Sequence, residues 1–256
     1  KIPVVIQEQN ALPGLANNVA ARFAAAVLTS FPDSPLPGAR FEGLPVRTEI
    51  AELASTGRAG RQRSAREKFG LDPKLPVLLV SGGSQGARSL NNATVDGTDE
   101  LLAAGVQVLH VWGPKNFSDT FAERVDEQTG ARYVPLAYVD AMADAYAAAD
   151  LMLARSGAGT VVETAVVGLP TILVPLPIGN GEQARNAEPL VSAGAAILIP
   201  DAELTADRLV AEVTGRTTNP EIIAAMSTAA QDLMRPGAAQ RVAQIVLAAA
   251  RGEVRR

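Results

Sequence analysis

The chain has 256 residues, of which 47% are hydrophobic and only 4% aromatic, and its formal net charge is −4. This length supports one large domain or two small ones, and the negative charge argues against general binding to a nucleic-acid backbone. The absence of cysteine excludes disulfides, thiolate metal sites and cysteine nucleophiles, and it fits a reducing compartment. No apolar run reaches about 18 residues, so the sequence predicts neither a transmembrane helix nor a signal peptide.

Short apolar runs alternate with helical patterns along the chain. Seven of these runs are typical of buried strands: IPVVI, PVLLVS, VQVLHVW, RYVPL, LMLAR, TILVP and AAILIP. Amphipathic or alanine-rich segments between them, such as 15–27 and 140–150, are predicted to be helices. Strand–helix alternation of this kind predicts an α/β fold with a doubly wound parallel sheet.

The pattern divides the chain near Arg47. The opening KIPVVIQEQN begins inside a strand pattern, which predicts that sequence upstream of Lys1 has been lost. Residues 33–38 form a turn-rich loop, and the helical pattern restarts at GLPVRTEIAEL, followed by a strand-free stretch to Leu75. Six strands between Val77 and Ile199 are enough for a complete sheet, and the tail from Leu204 is predicted to be helical.

The densest basic run is GRAGRQRSAREKFG, which contains Arg58, Arg61, Arg63 and Arg66. Charge runs of this kind are usually solvated, so we predict a linker and an exposed helix face. Contact with an anionic membrane is the alternative interpretation.

A first glycine-rich turn lies in LLVSGGSQGARSLN, where Gly82, Gly83 and Gly86 separate a strand from a helix. Small residues let a backbone approach a phosphate, and a helix amino end offers free N–H groups. The turn is not a Walker loop, because no Gly-Lys-Ser/Thr follows, and it lacks the first glycine of a dinucleotide fingerprint. A ligand site and an ordinary tight turn both remain open.

A second glycine-rich turn lies in LMLARSGAGTVVETAVVGLP, where a helix is predicted to begin at Thr160. Thr160 and Glu163 fit a capping box, in which each side chain accepts from a free backbone donor of the other. The alternative is that Glu163 accepts two hydrogen bonds from the vicinal hydroxyls of a ribose. The polar loop and helix at 175–186 contain Glu182, Gln183 and Asn186, whose side chains are able to hydrogen-bond to hydroxyl and amide groups.

Six motifs in this order resemble the MurG family of glycosyltransferases, with the actinobacterial members most similar. They are EQN from Glu8, GLPVR ending at Arg47, GGSQGAR from Gly82, YVDAMADAYAAAD from Tyr138, RSGAGTVVE from Arg155 and NGEQARNA from Asn180. The resemblance extends over essentially the whole chain. Two positions depart from the family, which usually has histidine at Gln7 and asparagine at Leu44.

The resemblance implies the GT-B architecture, in which two Rossmann-like halves face each other across a cleft and the second half binds the donor. Residues 1–47 would be the end of an incomplete acceptor domain, and residues 48–235 would be the UDP-sugar-binding domain. Residues 236–256 would form a final helix that packs back towards the first domain.

The resemblance also implies an activity and its partners. Family members transfer N-acetylglucosamine from UDP-GlcNAc to lipid I with inversion, which makes lipid II for peptidoglycan. They act as peripheral proteins at the cytoplasmic face of the bacterial membrane, with the membrane contact mainly in the half missing here. No nucleic-acid partner is implied. The chain has no Asp-x-Asp motif, so neither a metal nor another cofactor is expected.

The same resemblance assigns roles by motif. Glu163 would bind the ribose, Ser84 and its glycine loop the diphosphate, and Arg47 would lie near the donor phosphates. Val139 would contact uracil through its backbone. The remaining donor-binding positions are those lining the nucleotide, Ala158, Gly159, Thr160, Val161 and Val162, and those contacting the sugar, Asn10, Glu182 and Gln183.

The catalytic base is not assigned, because the family places a histidine in a glycine-rich loop that would lie upstream of Lys1. His110, the single histidine, ends a predicted strand and is expected to be structural. Two alternatives stay open beside the family activity. One is another GT-B transferase acting on a lipid acceptor, and the other is a non-catalytic module that binds nucleotide sugars.

Overall fold

The strands of the chain form two sheets of unequal size. The structure is a computed structural model, and it describes residues 2–83 and 87–254. The smaller sheet contains β1 (Val5–Glu8), β2 (Ala26–Thr29) and β3 (Ala39–Phe41), which are parallel and adjacent in that order. The prediction of a helix over 15–27 is wrong in its second half, because α1 (Leu15–Ala20) covers only the first half and β2 follows. All four residues of β2 are buried between two partner strands, and this pairing overrides the helical propensity of the alanines.

The larger sheet has the order β10-β9-β8-β4-β5-β7-β6. Its strands are β4 (Val77–Ser81), β5 (Gln107–Val111), β6 (Arg124–Val125), β7 (Arg132–Leu136), β8 (Leu151–Ala154), β9 (Thr171–Leu173) and β10 (Ala196–Leu198). All neighbours are parallel except β6, which is antiparallel to β7 at the edge. The predicted parallel sheet of six strands is confirmed. The two-residue strand β6 was missed, because it is too short to produce an apolar run.

Helices cover both faces of the larger sheet. They are α2 (Thr48–Thr56), α3 (Ala59–Lys68), α4 (Arg88–Ala103), α5 (Met142–Ala148), α6 (Ala158–Val166), α7 (Glu182–Ser192), α8 (Ala206–Thr217) and α9 (Pro220–Leu233). The last helix, α10 (Ala238–Ala250), contacts β2 of the smaller sheet. Alternate strand residues enter different cores: Leu79 and Met152 pack on one face, and Leu78 and Leu151 on the other. Within the described ranges, no helix is both long and apolar enough to cross a membrane.

The order of the strands reverses between β4 and β8. The chain runs outwards from β4 through β5 and β7, then returns to the other side of β4 and continues through β8, β9 and β10. Such a reversal opens a crevice at the carboxyl ends of the two central strands, and this is where open α/β sheets bind ligands.

The prediction that the basic run is a solvated face is wrong for Arg58. Its guanidinium donates to the carbonyl oxygens of Ala149 at 2.6 Å, Gly168 at 2.8 Å and Val167 at 3.1 Å. These carbonyls follow the ends of α5 and α6, where backbone acceptors have no partner within the helix. Burial lowers the pKa of Arg58 to about 10, so the side chain stays charged at neutral pH.

Arg66 has a similar structural role and is only 4% exposed. It donates to the carbonyl oxygen of Ala148 at 2.9 Å and pairs with the Asp150 carboxylate at 2.5 Å. Arg63, in contrast, has a side chain that is 82% exposed. The spacing of the arginines did not reveal these roles, since the acceptors lie more than 80 residues away.

We expect Arg58→Ala to lower the free energy of unfolding by about 2–4 kcal/mol, because it leaves several buried carbonyl oxygens without a donor. Arg63→Ala is the matched control on α3 and should change stability by less than about 0.5 kcal/mol. Urea unfolding followed by circular dichroism measures both. Equal effects of the two substitutions would contradict the structural role of Arg58.

Candidate functional site

Two turns meet at the crevice between β4 and β8. Ser81 at the end of β4 pairs with Ala154 at the end of β8, so the following segments leave the sheet side by side. Gly83 in the first turn has φ +81°, a left-handed conformation that favours glycine. Ser84 and Gly86, which the sequence placed in the same turn, lie outside the described residues.

Two adjoining cavities lie over these turns. The smaller cavity, of about 250 Å³, is lined by residues that include Arg47, Val139, Tyr146 and Glu163. The larger cavity, of about 990 Å³, lies over the amino ends of α4 and α6. Gly83 and Thr160 line both, so the two cavities form one continuous cleft.

The predicted capping box at Thr160 and Glu163 is wrong. Helix α6 begins at Ala158 after Gly157, which makes Thr160 the third helical residue and Glu163 the sixth. Gly157 is the N-cap and provides no side-chain hydrogen bond, and the ladder starts with the Val161 N–H donating to its carbonyl at 3.0 Å. Glu163 therefore lies a full turn too far along to reach the N-cap.

Glu163 instead accepts hydrogen bonds from two other elements. The Arg47 guanidinium donates to both carboxylate oxygens, at 3.2 Å and 3.1 Å, and the Tyr146 hydroxyl donates to Oε2 at 2.9 Å. Burial raises the pKa of Tyr146 well above its ordinary value, and the Glu163 charge adds to this. The hydrogen bonds to Glu163 likewise raise the pKa of Arg47.

The amino end of α6 offers free backbone donors beside this carboxylate. The N–H groups of Ala158, Gly159 and Thr160 precede the first hydrogen bond of the helix, and no side chain caps them. A helix amino end carries roughly half a positive charge. The two sides of the cleft therefore have opposite character, with Glu163 accepting hydrogen bonds and the helix end attracting anions.

The five residues predicted to line a nucleotide do not all face the cleft. Thr160 lines both cavities, but Val161 and Val162 are buried in the core beneath the helix. Ala158 is also part of that core, and Gly159 is exposed. The side chains of the two valines point away from the cleft, because a helix that starts at Ala158 turns them inwards.

The other predicted site residues lie around the cleft. Val139 is 8% exposed and lines the smaller cavity beside the exposed Tyr138. Gln183 lines the larger cavity, and its side-chain oxygen accepts from the Leu176 N–H at 3.0 Å. Glu182 is exposed at the start of α7.

Asn10, in the loop after β1 of the smaller sheet, contacts helix α7 beside the larger sheet. Its side-chain oxygen accepts from Asn186 of α7 at 3.1 Å, and the Ala11 N–H donates to Asn186 at 2.8 Å. Asn186 also donates to the Ser156 carbonyl at 3.3 Å, in the turn between β8 and α6. Asn10 is therefore held close to the second glycine-rich turn.

The two positions that depart from the MurG motifs have structural contacts. Gln7 donates to the Ser30 hydroxyl at 3.2 Å and to the Gly43 carbonyl at 3.1 Å. Leu44 packs against the core that contains Val161 and Val162.

A polar cluster that lines the larger cavity was missed in the sequence. Arg155, directly after β8, donates to Asp201 at 2.5 Å and to the Ser89 hydroxyl at 2.9 Å, and Ser89 donates to Asp201 at 2.6 Å. Burial opposes ionisation of Asp201, but the hydrogen bonds from Ser89 and Arg155 outweigh it and lower its pKa. Ser89 stands on the first turn of α4, so the cluster fixes that helix end to the sheet.

His110 is structural, as predicted. It is fully buried in β5, and its ring nitrogens lie 3.1 Å from the Tyr133 hydroxyl and 3.1 Å from the Asn91 side-chain oxygen. The ring stacks on Trp112 with a centroid distance of 4.5 Å. Burial lowers its pKa to about 3, so it is neutral at physiological pH. In the described part of the chain, no group of three or more His, Cys, Asp or Glu residues is arranged to hold a metal ion.

This fold and cleft define a glycosyltransferase of the GT-B class. The glycosyltransferase family 28 C-terminal domain matches residues 77–242. The crystal structure of Acinetobacter baumannii MurG superimposes with a TM-score of 0.70 at 26% identity, covering 96% of this chain and 66% of that one. A glycosyltransferase of kitacinnamycin, with a TM-score of 0.59 at 21% identity, shares the fold.

The relatives in sequence identify a particular family within this class of glycosyltransferases. The UDP-N-acetylglucosamine–N-acetylmuramyl-(pentapeptide) pyrophosphoryl-undecaprenol N-acetylglucosamine transferase of Cutibacterium acnes is 58% identical over 98% of this chain. The enzyme of the same name from Mycolicibacterium paratuberculosis is 51% identical over 96% of it. The chain belongs to this MurG family of transferases. It spans 68% of the first relative and 59% of the second.

The buried neutral histidine makes stability depend on pH. Its pKa is about 3 in the folded chain and about 6.5 when unfolded, so only the unfolded chain takes up a proton as the pH falls through 6.5. We expect the free energy of unfolding to decrease by about 2 kcal/mol between pH 7 and pH 5. His110→Gln should remove most of this slope, and an unchanged slope in that variant would contradict the assignment. Urea unfolding at a series of pH values measures both proteins.

Proposed function

We propose that this chain is the donor-binding part of a transferase that moves N-acetylglucosamine from UDP-GlcNAc to lipid I, making lipid II. The observation that carries the proposal is the pairing of two glycine-rich turns at the β4–β8 crevice, with Glu163 on its wall. Family membership supports the same donor, since the relatives' names specify UDP-N-acetylglucosamine.

The proposed donor lies along the continuous cleft. Its uridine occupies the smaller cavity, where the Val139 backbone contacts uracil and the Glu163 carboxylate accepts hydrogen bonds from the ribose hydroxyls. The diphosphate meets the amino end of α6 and the first glycine-rich turn, and Arg47 provides a half-exposed cation. The sugar extends into the larger cavity towards Gln183, with Asn10 and Glu182 as the further contacts expected from the family.

The chemistry of the leaving group fits this arrangement. When the bond between the sugar and UDP breaks, negative charge develops on the diphosphate. Fixed N–H dipoles at the end of α6 and the Arg47 guanidinium stabilise that charge without having to reorganise during the reaction. The acceptor proton needs a base. His110 does not provide it, because the ring is fully buried.

The same proposal covers domains, acceptor and location. Residues 1–47 are the end of an acceptor-binding domain, 48–235 the donor-binding domain, and 236–256 the returning helix. In support, Arg241 of α10 donates to the Glu42 carbonyl at 2.6 Å, next to β3. The undecaprenol in the relatives' names supports lipid I as acceptor. We place the action of the protein, as a peripheral protein, at the cytoplasmic face of the membrane.

We expect isothermal titration calorimetry to detect UDP and UDP-GlcNAc binding to this chain. Glu163→Gln should raise the Kd for UDP at least about tenfold, because hydrogen bonds to a charged acceptor contribute about 1.5–3 kcal/mol. Glu49→Gln is the matched control, since Glu49 is the other carboxylate near Arg47, at 3.6 Å, and is half-exposed. An unchanged UDP affinity in folded Glu163→Gln would reject the ribose role. Failure of the unmodified chain to bind UDP at millimolar concentration would reject the donor site.

A second measurement separates the family activity from its alternatives. UDP-GlcNAc should bind more tightly than UDP-glucose or UDP-galactose, and the reverse order would favour another lipid-directed GT-B transferase. This chain alone should show donor binding without turnover of lipid I. Turnover by the chain alone would contradict the proposal that it is only the donor-binding part.

A further inference from the structure

The Glu163 carboxylate is already occupied in the free protein. Its oxygens accept two hydrogen bonds from Arg47 and one from Tyr146, so three of about four lone-pair positions are taken. A vicinal diol adds two O–H donors. Five donors exceed the capacity of one carboxylate, and at least one existing hydrogen bond must therefore break when a ribose binds as proposed above.

The two present partners differ in how firmly they are held. Tyr146 is 2% exposed and belongs to the core between α5 and the sheet. Its hydroxyl cannot leave Glu163 without moving the ring within that core. Arg47 has a side chain that is 46% exposed and lies at the N-cap of α2, in the segment that follows the smaller sheet. Its long side chain is free to rotate towards the cleft.

Arg47 also has a second partner available once a nucleotide binds. A guanidinium matches the geometry of phosphate oxygens and binds them in a bidentate manner. Arg47 lines the smaller cavity together with Gly83 and Thr160, the two residues that continue into the larger cavity. A diphosphate passing between the two cavities therefore comes within the range of this side chain.

We propose that Tyr146 is a positioning residue that holds the Glu163 carboxylate ready for a ribose diol, and that Arg47 is the exchangeable counter-ion of the same carboxylate. In the free protein Arg47 neutralises Glu163. On nucleotide binding it moves to the diphosphate and frees the acceptor sites that the diol needs. This inference rests on the proposed function, since it takes a nucleoside diphosphate as the ligand.

The positioning role is tested with Tyr146→Phe and two probes, UDP and 2′-deoxy-UDP, by calorimetry. The unmodified chain should prefer UDP about fivefold or more, and Tyr146→Phe should reduce that preference at least about threefold while the Kd for 2′-deoxy-UDP stays within twofold. On a Glu163→Ala background, Tyr146→Phe should change the UDP Kd by less than twofold. Tyr133→Phe, which deletes another buried hydroxyl that lines neither cavity, is the control and should leave the preference unchanged.

The exchange is tested with Arg47→Met and a different pair of probes, UDP and uridine. The variant should bind UDP about tenfold more weakly, because the phosphate contact is lost. It should bind uridine about two- to fivefold more tightly, because Glu163 no longer has a competing partner. Uridine affinity that is unchanged or weaker would overturn the exchange.

The remaining outcomes distinguish failure of this inference from failure of the proposed function. Equal loss of UDP and 2′-deoxy-UDP affinity in Tyr146→Phe, or no loss of either, would overturn the positioning role alone. If the unmodified chain binds no UDP, the proposed function fails and this inference fails with it. If Tyr146→Phe does not fold, the uridine measurement with Arg47→Met still decides whether the carboxylate is shared.

Discussion

The site depends on the pairing of β4 with β8 in parallel register. Neighbouring strands in a sheet lie about 4.8 Å apart, so the pairing of Ser81 with Ala154 brings two separate glycine-rich turns to one crevice. Neither turn forms a site alone. Together they join a helix amino end, which attracts anions, to a wall with a carboxylate, and the strand order fixes this combination rather than any single motif.

The sequence predicted the elements that show in a local pattern, and it missed those that depend on contacts with distant residues. The central strands were found because each is buried on both faces and shows as a continuous apolar run. The segment 24–29 has the same apolar character but is rich in alanine, and only its pairing with β1 and β3 makes it a strand. Arg58 and Arg66 were assigned to solvent because a charge pattern contains no information about carbonyl groups at distant helix ends.

The sequence predicted the two glycine-rich turns of the site, but it did not predict the hydrogen-bond partners of the side chains there. Glycine-rich segments between a strand and a helix are local signals, and both lie at the cleft. The partners of Glu163 lie 116 and 17 residues away, so the capping box was the nearest local explanation and it was wrong. The Arg155, Ser89 and Asp201 cluster could not be predicted for the same reason, although the arginine is the first residue of a recognised motif.

The uneven exposure of the Arg47–Glu163 ion pair is what makes it suitable for exchange. The side chain of Arg47 is 46% exposed and that of Glu163 only 15%, so Arg47 is the partner that can move to a diphosphate while Glu163 stays in place. A fully buried pair would resist such a change, because breaking it leaves an uncompensated charge. Tyr146 lies on the buried side of the same carboxylate and keeps it in place while the exposed partner changes. Glu163 thus combines a fixed geometry with a replaceable counter-ion, and these are the two properties that a binding carboxylate needs.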